Sequence, residues 1–276
     1  MTGNRSLLRI LGIVAVIAVA ACGRGPSFTE VDLETLSAEE IYQTAETVMS
    51  RGGNERAAEY FGEIERLYPY SDWASRGLVM QAYALHQGRS YDASRAAAQR
   101  YLEFYPTLED ADWAQYLVAL SYYDQIFDIG RDQGLTINAL QELRKVIETY
   151  PTSEYADEAR PRFDLAIDHL AAKEMEIGRF YLNRQEYVAA IKRFRVVVED
   201  FQTTSHTPEA LYRLVEANTA LGLTGETNAA LAALQQNHAD NEWFADALVL
   251  TNGDTSSLAS NAGGWLGRVY SQVTGG

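Results

Sequence analysis

The sequence predicts an all-α fold built from about five helix pairs, and three observations predict it. Helix-favouring alanine, leucine, glutamate and arginine fill long stretches, while proline occurs only six times in 276 residues. A phrase recurs where helical stretches end: Leu67-Tyr68-Pro69, Phe104-Tyr105-Pro106 and Thr149-Tyr150-Pro151, with a degenerate copy at Asp200-Phe201-Gln202. No segment alternates apolar and polar residues with a period of two for long, so no sheet is expected. The copies lie 37, 45 and 51 residues apart. Tetratricopeptide repeats have a period of about 34 residues and end in such a proline, which halts the second helix because it cannot continue the hydrogen-bond ladder. The expected architecture is therefore a tetratricopeptide-like superhelix.

The first segment, residues 1–21, reads as a lipoprotein signal peptide. Arg5 and Arg9 form a basic start, and Ile10 to Ala21 is an uncharged apolar run. Such a run is too short to span a bilayer, which takes about 20 residues, and its layout is that of a secretory signal. It ends Val19-Ala20-Ala21-Cys22, a lipobox, and Cys22 is the only cysteine in the chain. Cys22 is expected to carry an S-diacylglyceryl group and an N-acyl chain, so that the protein is anchored without crossing the membrane. Several acyl chains on one residue hold firmly where one holds marginally. Lipoproteins held back at the inner membrane often carry aspartate after the lipidated cysteine, so the resemblance to lipoproteins implies the outer membrane for a chain with Gly23 there. Residues 22–36 then read as a lipidated tether.

Residues 37–240 carry the repeats. Each unit wants a small residue where its helices cross, an aromatic later in the first helix and alanine early in the second. Unit one supplies Ala45, Ala57 and Phe61, and unit two Ala82 and Tyr91. Unit three supplies Ala119, Tyr122 and Ala139, with about eight extra residues around Asp128 to Leu135. Unit four supplies Gly178, Tyr181, Ala190 and Phe194, and the weaker unit five Ala217 and Ala229. Predicted helices cover 38–51, 55–68, 72–87, 91–105, 110–125, 136–149, 155–183, 186–201, 208–221 and 225–237. The long one has Phe163, Ile167, Leu170, Ile177 and Tyr181 at helical spacing, with Pro161 near its start. Gln202 stands where the fourth proline would be, which predicts a different turn there. Residues 241–276 read as a largely disordered tail, rich in Thr, Ser, Asn and Gly from 251 to 264.

The formal charge of −15 disfavours nucleic acid as a partner, because an acidic surface repels phosphate. Removing residues 1–21 takes away two arginines and no acid, which makes the chain more acidic still. The four histidines, His86, His169, His206 and His238, stand at no metal-ligand spacing. Asp164 and Asp168 share a helix face beside His169 and read as a solvated face. Neither a Gly-x-Ser-x-Gly elbow nor a phosphate loop occurs. No catalytic residue, metal or free cofactor is therefore expected, and the chain reads as non-enzymatic.

Repeat arrays work by presenting a groove lined by their first helices. Counting along each first helix places Tyr42 and Met49, then Val79, Tyr83 and His86, then Trp113, Tyr116 and Tyr123 towards it. Aromatic rings bury much area with few rotors to freeze and dominate binding hot spots, so these residues suit a polypeptide ligand. Each ring has a second reading, packing between helices.

Several strings carry a resemblance to a known family. They are Glu40-Ile41-Tyr42, Leu67 to Ser71, Arg100 to Thr107, Tyr150 to Tyr155, Asp168-His169-Leu170-Ala171 and Glu174 to Gly178. With the lipobox, these strings make the chain similar to the BamD (ComL) family of outer-membrane β-barrel assembly lipoproteins, from Ala38 to about Asn241. The resemblance implies a lipid-anchored scaffold on the periplasmic face of the outer membrane. Its implied partners are the periplasmic domains of the BamA barrel, other lipoproteins of that complex, and unfolded outer-membrane β-barrel proteins. It also implies that Arg193 lies at the BamA contact; otherwise Arg193 reads as an exposed helix arginine. A repeat lipoprotein that scaffolds cell-wall or secretion machinery is the alternative within the same class.

Overall fold

The computed structural model describes residues 32–126 and 133–251. The signal peptide, Cys22, most of the tether and the tail beyond Thr251 lie outside them. The described residues form eleven α-helices and no strand. They run α1 Ala38–Ser50, α2 Asn54–Leu67, α3 Asp72–Gln87, α4 Tyr91–Phe104, α5 Ala111–Tyr123, α6 Gly134–Thr149, α7 Glu154–Asn183, α8 Tyr187–Asp200, α9 Thr207–Ala220, α10 Thr224–His238 and α11 Glu242–Leu250. The first ten are the five expected pairs, each within two residues of its predicted bounds. The chain divides into two compact units, one ending at Tyr101 and the other beginning at Leu102, within α4.

The recurring Tyr-Pro phrase works as both stop and start. Two residues after Pro69 and after Pro151 comes a serine whose hydroxyl caps the next helix. Ser71 Oγ accepts from the Trp73 amide and Ser153 Oγ from the Tyr155 amide, both at 3.1 Å. Each hydroxyl satisfies one of the amides that a helix start leaves without an intrahelical partner. At Gln202, where proline is missing, two buried threonines close the turn instead. The Thr204 and Thr207 hydroxyls donate to the Phe201 carbonyl at 2.8 and 3.0 Å, and Thr207 also reaches the Gln202 carbonyl at 3.1 Å.

The turns inside four pairs share one geometry. The second residue after the first helix adopts positive φ: Gly52 at 84°, Arg89 at 59°, Gln185 at 61° and Gly222 at 71°. In each, the following amide reaches back to a carbonyl in the last helical turn, as Gly53 does to Val48 and Ser90 to Leu85. This is the Schellman arrangement, which satisfies carbonyls orphaned at a helix end. Glycine adopts it without strain; Arg89 and Gln185 hold a conformation that costs of order 1 kcal/mol or more. Glycine content alone therefore marks only two of these four turns.

The predicted crossing residues are core. Ala45, Ala57, Phe61, Ala82, Ala119, Ala139, Ala190, Phe194 and Ala217 are fully buried. In the first unit, Ile41, Phe61 and Ile64 pack with Leu33 and Leu36, which precede α1. The Tyr68 hydroxyl donates to the Leu36 carbonyl at 2.5 Å. Residues 32–36, which the sequence assigns to the tether, are thus fastened to the helices that follow. In the second unit, Met175, Phe194, Leu211, Leu214 and Leu231 form the main core. The domain also extends further than expected. Residues 242–250, assigned from sequence to the tail, form α11, which is capped by Asn241 and buries Ala247 against the main core. Nine residues with no repeat signature gave no period to recognise, yet the open side of α9 and α10 supplies the apolar surface that orders them.

His238 closes α10 with its Nε2 buried and unbonded, and burial lowers its pKa below the usual histidine value. A base with a depressed folded pKa binds its proton less readily when folded than when unfolded. Its contribution is intact above about pH 6.5 and is lost as pH falls through the folded pKa. Urea midpoints at pH 8 and pH 5 are expected to differ less in His238→Leu than in the parent chain. An equal difference would show that His238 is not a proton-linked group.

Candidate partner-binding surfaces

In the first unit, the predicted groove residues meet a tryptophan that helix counting missed. The Tyr42 ring lies edge-on to Phe61 at 5.2 Å and 5.0 Å from Trp73, and the Arg76 guanidinium covers Trp73 at 5.3 Å. Trp73 lies two residues after Ser71 and donates its amide to that serine's hydroxyl, so the cap that starts α3 also helps set this ring beside α1. Tyr42 and Met49 are half-buried against the core. Tyr83 and His86 are also half-buried, with His86 edge-on to Tyr91 at 5.3 Å. Val79 is 1% exposed and belongs to the core, not to a ligand surface.

In the second unit, α7 lies against α5 and takes up most of the predicted aromatic surface. Trp113 stacks on Tyr155 with centroids 6.4 Å apart and planes at 12°. Tyr116 lies 5.4 Å from the same ring and donates its hydroxyl to Glu158 Oε2 at 2.8 Å. At 3% exposure Tyr116 is closed to a ligand, which corrects the groove assignment there as for Val79. Burial, with the bond to Glu158, raises its pKa far above that of a free tyrosine. For Tyr116 the physical reason is that α7, which opens the next pair, covers the middle of α5 with Tyr155 and Glu158 before solvent can reach it. The side chains of Ser153 and Asp112, 2.5 Å apart, fix the start of α7 on α5.

Tyr123, at the end of α5, lines a cleft of about 510 Å³ in this unit with Ile126, Leu165, Ala166, Asp168, His169, Ala172 and His206. Asp168 is not the solvated carboxylate its helix position suggested. Its Oδ1 accepts from the Ser205 amide at 3.0 Å and hydroxyl at 2.8 Å, and its Oδ2 lies 3.3 Å from His206 Nε2. It ties α7 to the turn that starts α9. No sequence signal pairs positions 37 residues apart, so this brace was invisible before folding. Asp164, four residues earlier, remains exposed.

Arg193 of α8 forms an ion pair with Glu174 of α7, Nη1 to Oε2 at 3.0 Å. Its side chain is 42% exposed. It therefore combines a packing role with an open face.

Among the described residues, no group of three His, Cys, Asp or Glu side chains could hold a metal ion. No helix among them is long and apolar enough to cross a membrane. Residues 34–234 match the family model YfiO, outer membrane lipoprotein, across most of the chain.

The chain belongs to the BamD (YfiO) family.

Members of this family that it resembles include the outer membrane protein assembly factor BamD of Caulobacter vibrioides. That relative is 41% identical over 249 residues, 90% of this chain and 82% of its own length. A second, the outer membrane protein assembly factor BamD of Rickettsia prowazekii, is 36% identical over 204 residues, 74% of this chain and 81% of its own. The protein of the same name from Neisseria gonorrhoeae is 26% identical over 214 residues. The family match stops within α10, and α11 lies just beyond it.

Proposed function

We propose that this chain is a non-enzymatic scaffold of the outer-membrane β-barrel assembly complex, lipidated at Cys22 and held at the periplasmic face. It binds the periplasmic domains of BamA, other lipoproteins of the complex and unfolded β-barrel substrates. The observation that carries this reading is the family match over residues 34–234, laid on a fold of stacked helix pairs. The lipobox ending at Cys22 and the family's description as outer membrane lipoproteins support the anchor.

Arg193 is our candidate for the BamA contact. Half-exposed ion pairs contribute only about 0–1 kcal/mol, so the Arg193 guanidinium can exchange Glu174 for an acidic partner at little cost. In the first unit, Tyr83 and His86 are predicted groove residues that are half-buried, and we take them as candidates for substrate contact.

Affinity capture of the full chain from its own membranes tests the proposal. An outer-membrane barrel with periplasmic domains is expected to co-purify. Arg193→Glu is expected to reduce its yield at least about tenfold, since putting a like charge at an interface costs several kcal/mol and each step of about 1.4 kcal/mol is about a factor of ten in affinity. Capture without any such barrel would sink the assembly role; undiminished capture by Arg193→Glu would sink only the contact residue.

A further inference from the structure

The described part of the second unit ends at Thr251, and Thr251 is itself part of the wall of a small cleft. The cleft lies where the end of α11 meets the turn between α9 and α10. It holds about 240 Å³ and is lined by four threonines, Gly222, Asn228 and Leu250. A Cβ added at Gly222 would meet nothing within 4 Å, so the space beside that turn is open. Exposed aliphatic residues adjoin the lining along the chain. Leu221 and Leu223 flank Gly222, and Val249, 79% exposed, precedes Leu250.

The wall narrows the occupant. None of its residues is charged. Three of its threonine hydroxyls are bonded within the protein. The Thr219 and Thr227 hydroxyls lie 3.4 Å apart, Thr227 also donates to the Leu223 carbonyl at 3.1 Å, and Thr251 donates to the Ala247 carbonyl at 2.9 Å. A charged guest would lose water and find no counter-charge there, so an uncharged, largely apolar side chain fits best. A cleft of this size takes about one such side chain, far less than the roughly 1,000 Å² that a specific interface with a separate protein buries. A segment of the same chain needs no such area, because a short connection holds it at millimolar effective concentration.

The residues before Thr251 already turn back on the repeats: α11 packs Trp243, Phe244 and Leu248 on the core that holds Leu211, Leu214 and Leu231. Beyond Thr251 stand a single acid, Asp254, and a single base, Arg268, while Trp265, Leu266, Val269 and Tyr270 fall within six positions. Thirteen residues, 252–264, connect them to the cleft wall. We propose that Trp265 docks in this cleft, with Leu266, Val269 and Tyr270 laid on Leu221, Leu223 and Val249, so that the chain continues over α9 and α10 the cover that α11 begins. An indole buries a large apolar area and carries one N–H, which suits a wall of threonines and leucine. The inference does not rest on the assembly role.

Fluorine NMR of the full chain labelled with 5-fluorotryptophan tests it. Four tryptophans give four resonances, and Trp265→Phe identifies the one that is lost. A soluble paramagnetic agent is expected to broaden the Trp265 resonance about fivefold less than that of a labelled peptide spanning residues 263–272, the protection a tethered apolar contact gives at millimolar effective concentration. Leu250→Arg, which puts a charge in the wall, is expected to abolish that protection. Thr224→Glu is expected to do the same from an exposed first-turn position where an acid suits the helix dipole, and it decides alone if Leu250→Arg does not fold. Equal broadening of Trp265 and the peptide overturns the proposal. So does protection that survives in every folded variant, which puts the ring elsewhere, and so does protection lost on dilution, which makes the contact one between copies.

Discussion

Replacing Gly178 by alanine is expected to destabilise the second unit by about 2 kcal/mol, the net of about 3 from overpacking and about 1 regained in helix propensity. A Cβ at position 178 would sit 2.4 Å from Phe194 Cε1 and 2.8 Å from two more ring atoms. Real contacts do not approach so closely, and Phe194 has no room to withdraw because it is fully buried among Met175, Leu211 and Leu214. Phe194→Ala alone should cost about 3–5 kcal/mol through lost burial and the cavity it leaves. The two changes are coupled: once the ring is gone the clash is gone, and Gly178→Ala then becomes neutral or favourable. A double-mutant cycle by urea denaturation reads this as a coupling of about 2–3 kcal/mol. A stabilising Gly178→Ala in the parent chain would mean that α7 and α8 do not cross this closely.

Arg213→Ala is expected to cost about 2 kcal/mol and to loosen α11. The Arg213 guanidinium lies 5.1 Å from the Tyr212 ring and 5.5 Å from the Trp243 ring. It bonds Glu216 Oε2 at 2.8 Å and Glu209 Oε1 at 3.3 Å, while Glu209 Oε2 also takes Arg179 at 2.7 Å. Burial acts to lower the Arg213 pKa, but its bonds to Glu216 and Glu209 outweigh that and raise it. The cation–π contact contributes about 1 kcal/mol, and the two part-exposed ion pairs add up to about 1 kcal/mol between them after solvent screening. Arg213→Lys should recover the charge but not the stacking, since only a planar guanidinium lies flat on an aromatic face while bonding sideways. Amide exchange is the direct readout: α11 is expected to exchange faster than α9 or α10 in Arg213→Ala. Unchanged protection of α11 would show that Trp243 and Phe244 hold it without the arginine.

Much of the fold was legible because its signals are local. A proline ends each of three second helices, a serine two residues later starts the next in two of them, and alanines mark the crossings; all act within a few residues along the chain. The five pairs follow from them; the family resemblance rests on longer strings such as Arg100 to Thr107 and Glu174 to Gly178, and the comparison established the family. The turn after Phe201 shows the limit of a motif: with Gln202 in place of proline, Thr204 and Thr207 close the same turn with hydroxyls.

The candidate surfaces were less legible. Counting along a helix finds which residues share a face but not what covers that face. Tyr116 and Val79 satisfy the count, yet the neighbouring helices bury them. Trp73, Tyr155, the Asp168 brace and the Arg213–Trp243 stack join residues far apart in sequence, and no periodicity records such pairs. By itself the sequence determined the helices, their pairing, the anchor expected at Cys22 and the family. Only the tertiary structure decided that residues 32–36 and 242–250 pack on the repeat helices, which aromatic rings the neighbouring helices cover, and that Asp168 braces α7 to the turn before α9. The physical reason is that helix formation is set by neighbours along the chain, whereas exposure is set by whatever packs across it.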